Sequence, residues 1–236
     1  MGIKSHFKKD KKIAFLGGAG VSVASMIPDF RSPKGIYHVK SKYGVPYETI
    51  LSHSYFYAHP ETFYEFYWEN MVKLDAKPNL AHLSLAHYEA SGGNIKILTQ
   101  NIDGLHQEAL SNYVYELHGS TKRYYCTRCR HFYSLDEIAK SGVPHCECGA
   151  ILKPDVVLYE EPLNKAILSS SILALAEADI LIVGGTSLNV YPAAGLIQYF
   201  KGDYRLLINQ ERTNLDSFFD DVIHDDIGKV LSFLLE

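Results

Sequence analysis

The stretch "ILTQNIDGLHQ", residues 97–107, decides how the chain reads. The apolar run leading into it, residues 95–98, has the character of a buried strand. It stops at Thr99, Gln100, Asn101 and Asp103, four polar side chains gathered about one turn. Working outward, four more apolar runs end in a polar or glycine-rich turn: "KIAFLGGAG" from Lys12, "VYELHGS" from Val114, "ADILIVGGTS" from Ala178 and "YRLLINQE" from Tyr204. Between them lie helix-like segments. In "NLAHLSLAHYEASGG", Leu80, Leu83 and His87 recur at helical spacing before the stop signal Gly92-Gly93, and "KAILSSSILALAEA" precedes the fourth strand. Continuous apolar strands alternating with helices predict an α/β fold, a parallel sheet with helices on both faces. Open sheets of that kind bind ligands at the carboxyl ends of their strands, where all five polar turns fall.

The chain has 236 residues, enough for one large domain with a small inserted module. With 47% hydrophobic and 21% charged residues and a formal net charge of −4, it carries neither the composition of a disordered chain nor a basic nucleic-acid surface. The opening "MGIKSHFKKDKK" is basic but lacks the apolar core of a signal peptide. No run approaches the roughly 20 apolar residues of a membrane span. His6 breaks the myristoylation pattern, so a cytoplasmic protein is expected, with neither membrane nor nucleic acid as partner.

The four cysteines lie together: Cys126 and Cys129 two residues apart, then Cys146 and Cys148 separated by one. In a reducing compartment such a cluster points to a closed four-thiolate zinc site, structural because no coordination position stays open. Free buried thiols are the alternative. Lys122, Arg123, Arg128 and Arg130 beside the cluster make too small a basic footprint for nucleic acid. The flanks of the cluster mark a module over residues 122–153, set into a larger domain of residues 1–121 and 154–236.

"GGAGVS", residues 17–22, follows a strand and suits either a tight structural turn or a turn whose backbone amides meet a pyrophosphate. A dehydrogenase fingerprint would need a third glycine where Val23 stands and an acid where Lys40 and Lys42 stand, which disfavours hydride transfer. "IPDFRS" sets Phe30 and Arg31 shortly after that turn, and "LHGS" ends a strand run with His118. "YFYAHPETFYEFYW", residues 55–68, reads as a helical layer packing through its rings, since no Lys or Arg is interleaved as in a base-stacking surface.

Together "GAGVS", "IPDFRS", "TQNIDGLH", "LHGS", the cysteine cluster, "KPDVVLYEE", "GGTSLNVYPAAG" and "LINQERT" resemble the sirtuins, NAD-dependent protein-lysine deacylases, in order from about Ile13 to Ile227. The resemblance is strongest to the bacterial class with "PDVVLY" and a Cys-x-Cys pair. It implies a Rossmann-like NAD domain with an inserted zinc ribbon and a helical, cofactor-loop insertion over residues 31–79. Gln100, Asn101, Ile102 and Asp103 would line the nicotinamide and ribose end of NAD, and Phe30 would shield the reaction centre. Ala19, Gly20 and Arg31 would surround the phosphates, Thr186 and Ser187 would contact the ribose and phosphates, and Asn209 the adenosine ribose, with Val23 and Ile227 also among the cofactor-binding residues. Asn101 and Asp103 would join His118 in catalysis.

In the chemistry the family implies, the acyl-lysine carbonyl oxygen attacks C1′ of the nicotinamide ribose and expels nicotinamide. A neutral His118 then acts as general base for the 2′-hydroxyl. Val156, Val157, Leu158 and Tyr159 on one edge, with Leu188, Asn189 and Val190 on the other, would take an extended acyl-lysine peptide between them by backbone pairing. Members that remove succinyl groups carry a Tyr-x-x-Arg pair. Here Tyr67 is followed by Asn70, so acetyl is expected over succinyl.

Three positions depart from the pattern: Gly17 for a threonine, Met26 for a glycine, and Glu160 for the glycine of the usual Gly-Glu pair. The stretch before Ile13 is short, so the family's first helix is expected to be absent or abbreviated. The same fold also suits an ADP-ribosyltransferase or NAD hydrolase. A zinc-ribbon nucleic-acid binder is a third reading, but it leaves "TQNID" and "GGTS" unexplained.

Overall fold

The structure, a computed structural model, describes residues 2–29, 42–189 and 191–236. Phe30, Arg31 and Val190 lie outside the described residues. Among those described, the strands are β1 (Lys12–Gly17), β2 (Asn94–Thr99), β3 (Val114–Glu116), β4 (Gly119–Cys126), β5 (Phe132–Ser134), β6 (Leu152–Val156), β7 (Ile180–Gly184), β8 (Tyr204–Ile208) and β9 (Asp221–Ile223). The helices are α1 (Tyr47–Ile50), α2 (His53–Ala58), α3 (Pro60–Asn70), α4 (Leu80–Ala90), α5 (Leu105–Glu108), α6 (Lys165–Glu177) and α7 (Ile227–Leu235). A single 3-10 turn, Ile3–His6, precedes β1.

Six strands form one parallel sheet in the order β3-β2-β1-β7-β8-β9. Side chains alternate across it, as strand geometry requires. Ile13, Phe15, Ile95, Ile97, Ile180 and Ile182 face α4 and α7. Ala14, Leu16, Leu98, Leu181 and Val183 face α6 and the 3-10 segment Ala193–Tyr199. With both faces covered, residues 13–17 of β1 and 180–184 of β7, the two central strands, are buried and apolar at every position, which explains their uninterrupted runs in the sequence. The chain winds outward from β1 to β2 and β3, then returns to pair β7 on the other side of β1. That reversal places a topological switch point between the carboxyl ends of β1 and β7.

The second sheet, β5-β4-β6, is antiparallel and carries the cysteines. It shares a third core with the aromatic helices: Phe56, Phe63, Tyr64, Phe66 and Tyr67 pack with Tyr124, Cys126, Cys146, Leu152 and Val156. Tyr64 Oη donates to the Leu152 carbonyl, so the ring layer is bonded to the module as well as packed on it. Burial raises the pKa of Tyr64 and Tyr67, keeping both phenols neutral. Arg123 joins the sheets, with Nη1 at 2.7 Å from Glu116 and Nε at 2.8 Å from Asp155.

The helix over residues 80–90 forms, but its apolar stripe faces the other way. Leu80, Leu83 and His87 are exposed, while Ala81, His82, Leu85, Ala86 and Tyr88 turn inward. The cap sets this phase. Asn79 accepts from Ala81 N, and its amide donates to Val21 O and Ser25 Oγ at 2.8 Å, anchoring the first turn to the loop after β1.

Candidate active site

The turn after β1 closes against the turn after β7. Gly18 N donates to Gly184 O at 3.1 Å and Gly20 N to Gly185 O at 2.8 Å. The approach admits no side chain: a Cβ on Gly20 would stand 2.7 Å from Gly185 Cα, and one on Gly18 2.6 Å from Thr186 Cβ. Gly17, Gly18 and Gly20 thus form a bare-backbone cradle at the switch point, with Ala19 between them and Val23 half exposed on the following 3-10 turn. Thr186 is buried and its hydroxyl accepts from Leu188 N at 3.1 Å, whereas Ser187 is exposed. Asn209 follows β8, with its amide donating to Glu211 O at 2.8 Å, and Ile227 opens α7 against the same sheet face.

After β2 the polar residues hold one another. Asn101 N donates to Thr99 Oγ1 at 3.0 Å, and the Asn101 amide donates to Ser22 Oγ at 2.9 Å. Ser22 in turn donates to Asp103 Oδ2 at 2.7 Å, and Asp103 Oδ1 accepts from Leu105 N at 2.9 Å. Ser22, 1% exposed, is therefore the keystone between two residues expected in the site. Sequence reasoning passed over it, because a serine in a glycine-rich turn looks like any turn former. The Gln100 amide nitrogen is buried without a partner among the described residues, a donor left open for a ligand acceptor. Ile102 is fixed through its carbonyl, which accepts from both Thr121 N and Thr121 Oγ1.

His118 sits where the sheets meet, between β3 and β4. Its Nδ1 lies 2.9 Å from the Gln100 carbonyl, and its own carbonyl accepts from Val157 N at 3.0 Å. Burial lowers its pKa below the ordinary 6.5, while the Gln100 carbonyl, which favours the protonated ring, opposes the shift. The neutral imidazole is the resting form at neutral pH. Beyond it, Val156 and Leu158 turn inward and Tyr159 outward, as an edge strand alternates. Leu188 is buried at φ 57 and Asn189 exposed.

The residues fit both groups that the sequence implies. For NAD, the cradle a Cβ would fill and the unpartnered Gln100 amide supply close backbone approach and a waiting donor. For zinc, the sulfurs of Cys126, Cys129, Cys146 and Cys148 lie within 4.8 Å of one another. The Cys126–Cys148 and Cys129–Cys146 separations are 3.5 and 3.6 Å. That is far from the roughly 2.05 Å of a disulfide and near the about 3.8 Å edge that tetrahedral bonds of about 2.3 Å impose. Arg128 N and Cys129 N both point at Cys126 Sγ, at 3.4 Å, as amides do toward a thiolate. The four thiols fit one zinc ion. Cys126 and Gly119, next to His118, stand at opposite ends of β4, roughly 20 Å apart in an extended strand. The metal is structural.

The model of the Sir2 family matches residues 18–192. An NAD-dependent protein deacetylase of Clostridium acetobutylicum is 53% identical over 236 residues, covering 99% of this chain and 96% of its own length. A solved Sir2 bound to a p53 peptide and NAD+ is 37% identical with a TM-score of 0.82, covering 95% of this chain and 92% of its own. Another, with a deacetylated p53 peptide and 3′-O-acetyl ADP ribose, is 38% identical with a TM-score of 0.85 over 93% of this chain and 90% of its own. Among the described residues no helix is long and apolar enough to cross a membrane. A family model that spans most of the chain and a relative more than half identical over its whole length place the chain in the Sir2 family, the sirtuins.

Proposed function

We propose that the chain is a cytoplasmic NAD-dependent protein-lysine deacetylase, releasing nicotinamide and O-acetyl-ADP-ribose. The observation that carries this reading is the position of His118. One ring nitrogen is spent on the Gln100 carbonyl of the cofactor turn, and the backbone is spent on Val157 of the peptide edge, so the other ring nitrogen serves the space between. Relatives named NAD-dependent protein deacetylases at 50% identity or more support it.

Bound NAD supplies the electrophilic ribose carbon and nicotinamide as leaving group. The chain does the rest. The glycine turns at residues 17–20 and 184–185, bare of side chains where they meet, let the pyrophosphate approach the backbone closely. Gln100 offers its amide to the nicotinamide end, and the Ser22–Asn101–Asp103 chain of hydrogen bonds holds the floor beneath it. His118, neutral, takes a ribose hydroxyl proton at Nε2. The edges at residues 156–159 and 188–189 bind the acyl-lysine segment through its backbone, so affinity depends little on its sequence.

Mass spectrometry of the products formed from NAD and an acetyl-lysine peptide tests the reading. O-acetyl-ADP-ribose with the deacetylated peptide is expected. ADP-ribosylated protein, or free ADP-ribose alone, would overturn it in favour of transfer or hydrolysis. On a succinyl-lysine peptide kcat/KM is expected about 10- to 150-fold lower, because Tyr67 has Asn70 rather than an arginine one turn on to pair a carboxylate.

A further inference from the structure

Glu160 occupies a backbone conformation that disfavours it. Its φ is 74, in the left-handed region where a Cβ crowds the following carbonyl and where glycine is the unstrained choice. The side chain shows what keeps it there. One carboxylate oxygen accepts from Ser54 N and the other from Ser54 Oγ, both at 2.9 Å. Ser54 lies in the first turn of α2, so Glu160 clasps the end of the peptide edge onto the helical layer. The backbone makes the same junction: Tyr159 N donates to Leu51 O and His53 N to Tyr159 O, both at 3.0 Å. The next residue works from the other side. Glu161 accepts from Leu158 N at 3.0 Å, from Lys153 Nζ at 2.9 Å and from His53 Nδ1 at 2.8 Å, and Lys153 also reaches Val156 O at 2.9 Å. Val156, Leu158 and Tyr159 are thereby tied from behind, with Glu160 as the strained link.

We propose that Glu160 is a positioning residue for the acyl-lysine peptide: its clasp on Ser54 fixes the height and register of the edge at residues 156–159. The proposal rests on the deacetylase reading for its substrate. Glycine at this position would relieve the backbone and release the edge together, so its effect on stability is small while its effect on peptide binding is not. Glutamine keeps the clasp, because its carbonyl accepts from Ser54 N and its amide donates to Ser54 Oγ.

Steady-state kinetics with peptide and NAD varied separately is the test. Glu160→Gly and Ser54→Ala are each expected to raise KM for the peptide roughly tenfold, the scale of losing hydrogen bonds to a charged group. The double variant is expected to be no worse than either single one, with KM for NAD and kcat at saturating peptide held and Glu160→Gln near wild type. An unchanged peptide KM in Glu160→Gly overturns the proposal, as does a parallel rise in KM for NAD, which would mark general loosening. Hydrogen exchange of the Leu158 and Tyr159 amides is read on the same proteins and needs no turnover. Faster exchange in Glu160→Gly supports the clasp, and unchanged exchange overturns it even if the wild type deacetylates nothing. An inactive wild type with faster exchange in the variant overturns the deacetylase reading instead.

Discussion

The Nδ1 of His118 and the carbonyl oxygen of Gln100 are 2.9 Å apart, and a carbonyl only accepts, so the proton of the neutral ring resides on Nδ1. Nε2 is left with the lone pair. Replacing the ring with His118→Ala should lower kcat about 100-fold or more while NAD binding persists. The pH profile follows from the same site. Since burial lowers the His118 pKa below 6.5, the base stays unprotonated through neutrality, and kcat/KM should fall on the acid side only below that value. An acid limb centred above 6.5, or near-normal turnover by the alanine variant, would contradict the assignment.

At the switch point the test is a single methyl group. In Gly20→Ala the new Cβ meets the Gly185 backbone at 2.7 Å, and neither turn can yield without breaking the bond from Gly20 N to Gly185 O. A stability loss of about 1–3 kcal/mol is expected, as for overpacking elsewhere, with a fall of roughly tenfold or more in NAD affinity. Thermal unfolding and a calorimetric NAD titration read the two effects, and wild-type affinity would show that the cradle is not the cofactor's seat.

Metal analysis of folded protein should find one zinc per chain. Cys126→Ala or strong chelation should loosen the ribbon and the aromatic layer together, because Cys126 and Cys146 belong to the same core as Tyr64, Tyr67 and Tyr124. Activity is then lost indirectly, and near-ultraviolet circular dichroism of the tyrosines should change with it. Protein that binds no zinc when folded would refute the site.

Beneath the polar turn, His82 and His106 lie edge to face with ring centroids 4.7 Å apart. His82 Nε2 and both nitrogens of His106 lack partners among the described residues. Burial pushes His82 down to about 4, against the opposing pull of Asp103, and pushes His106 well below its ordinary value. In the unfolded chain both titrate near 6.5. Between about 6.5 and 4 the unfolded state binds protons that the fold refuses, so stability is full above pH 6.5 and is lost as the pH falls toward 4. The slope is up to about 1.4 kcal/mol per pH unit for each ring. Urea unfolding at pH 8, 6.5 and 5 measures it, and His106→Leu should flatten the acid loss; an unchanged slope would count against the pair.

The central strands were legible because burial on both faces leaves no polar letter in residues 13–17 and 180–184, and the cysteine spacing because a tetrahedral shell demands four thiols close together. The outward face of α4 was not. Leu80 and Leu83 satisfy helical periodicity, but the rotation of the helix is set by the bonds of Asn79 to Val21 and Ser25, a tertiary fact without a local signature. β9 spans only Asp221–Ile223, too short for any period to register. Ser22 escaped for a related reason: its partners stand 79 and 81 residues away. Glu160 is the instructive case, since its departure from the family's glycine was visible in the sequence while the compensating contact with Ser54 was not.

The junction of the turns at residues 17–20 and 184–185 also governs how the protein comes into being. Synthesis delivers the two halves more than 160 positions apart, and β1 cannot acquire its second neighbour until β7 has been made. Such distant pairing is the slow kind, because a large loop must close before any contact rewards it. A dinucleotide that needs both turns has no affinity for the incomplete chain. Seated there as proposed, it would play no part in the early search and would add its whole binding free energy to the finished molecule, holding shut a junction it did not help to close.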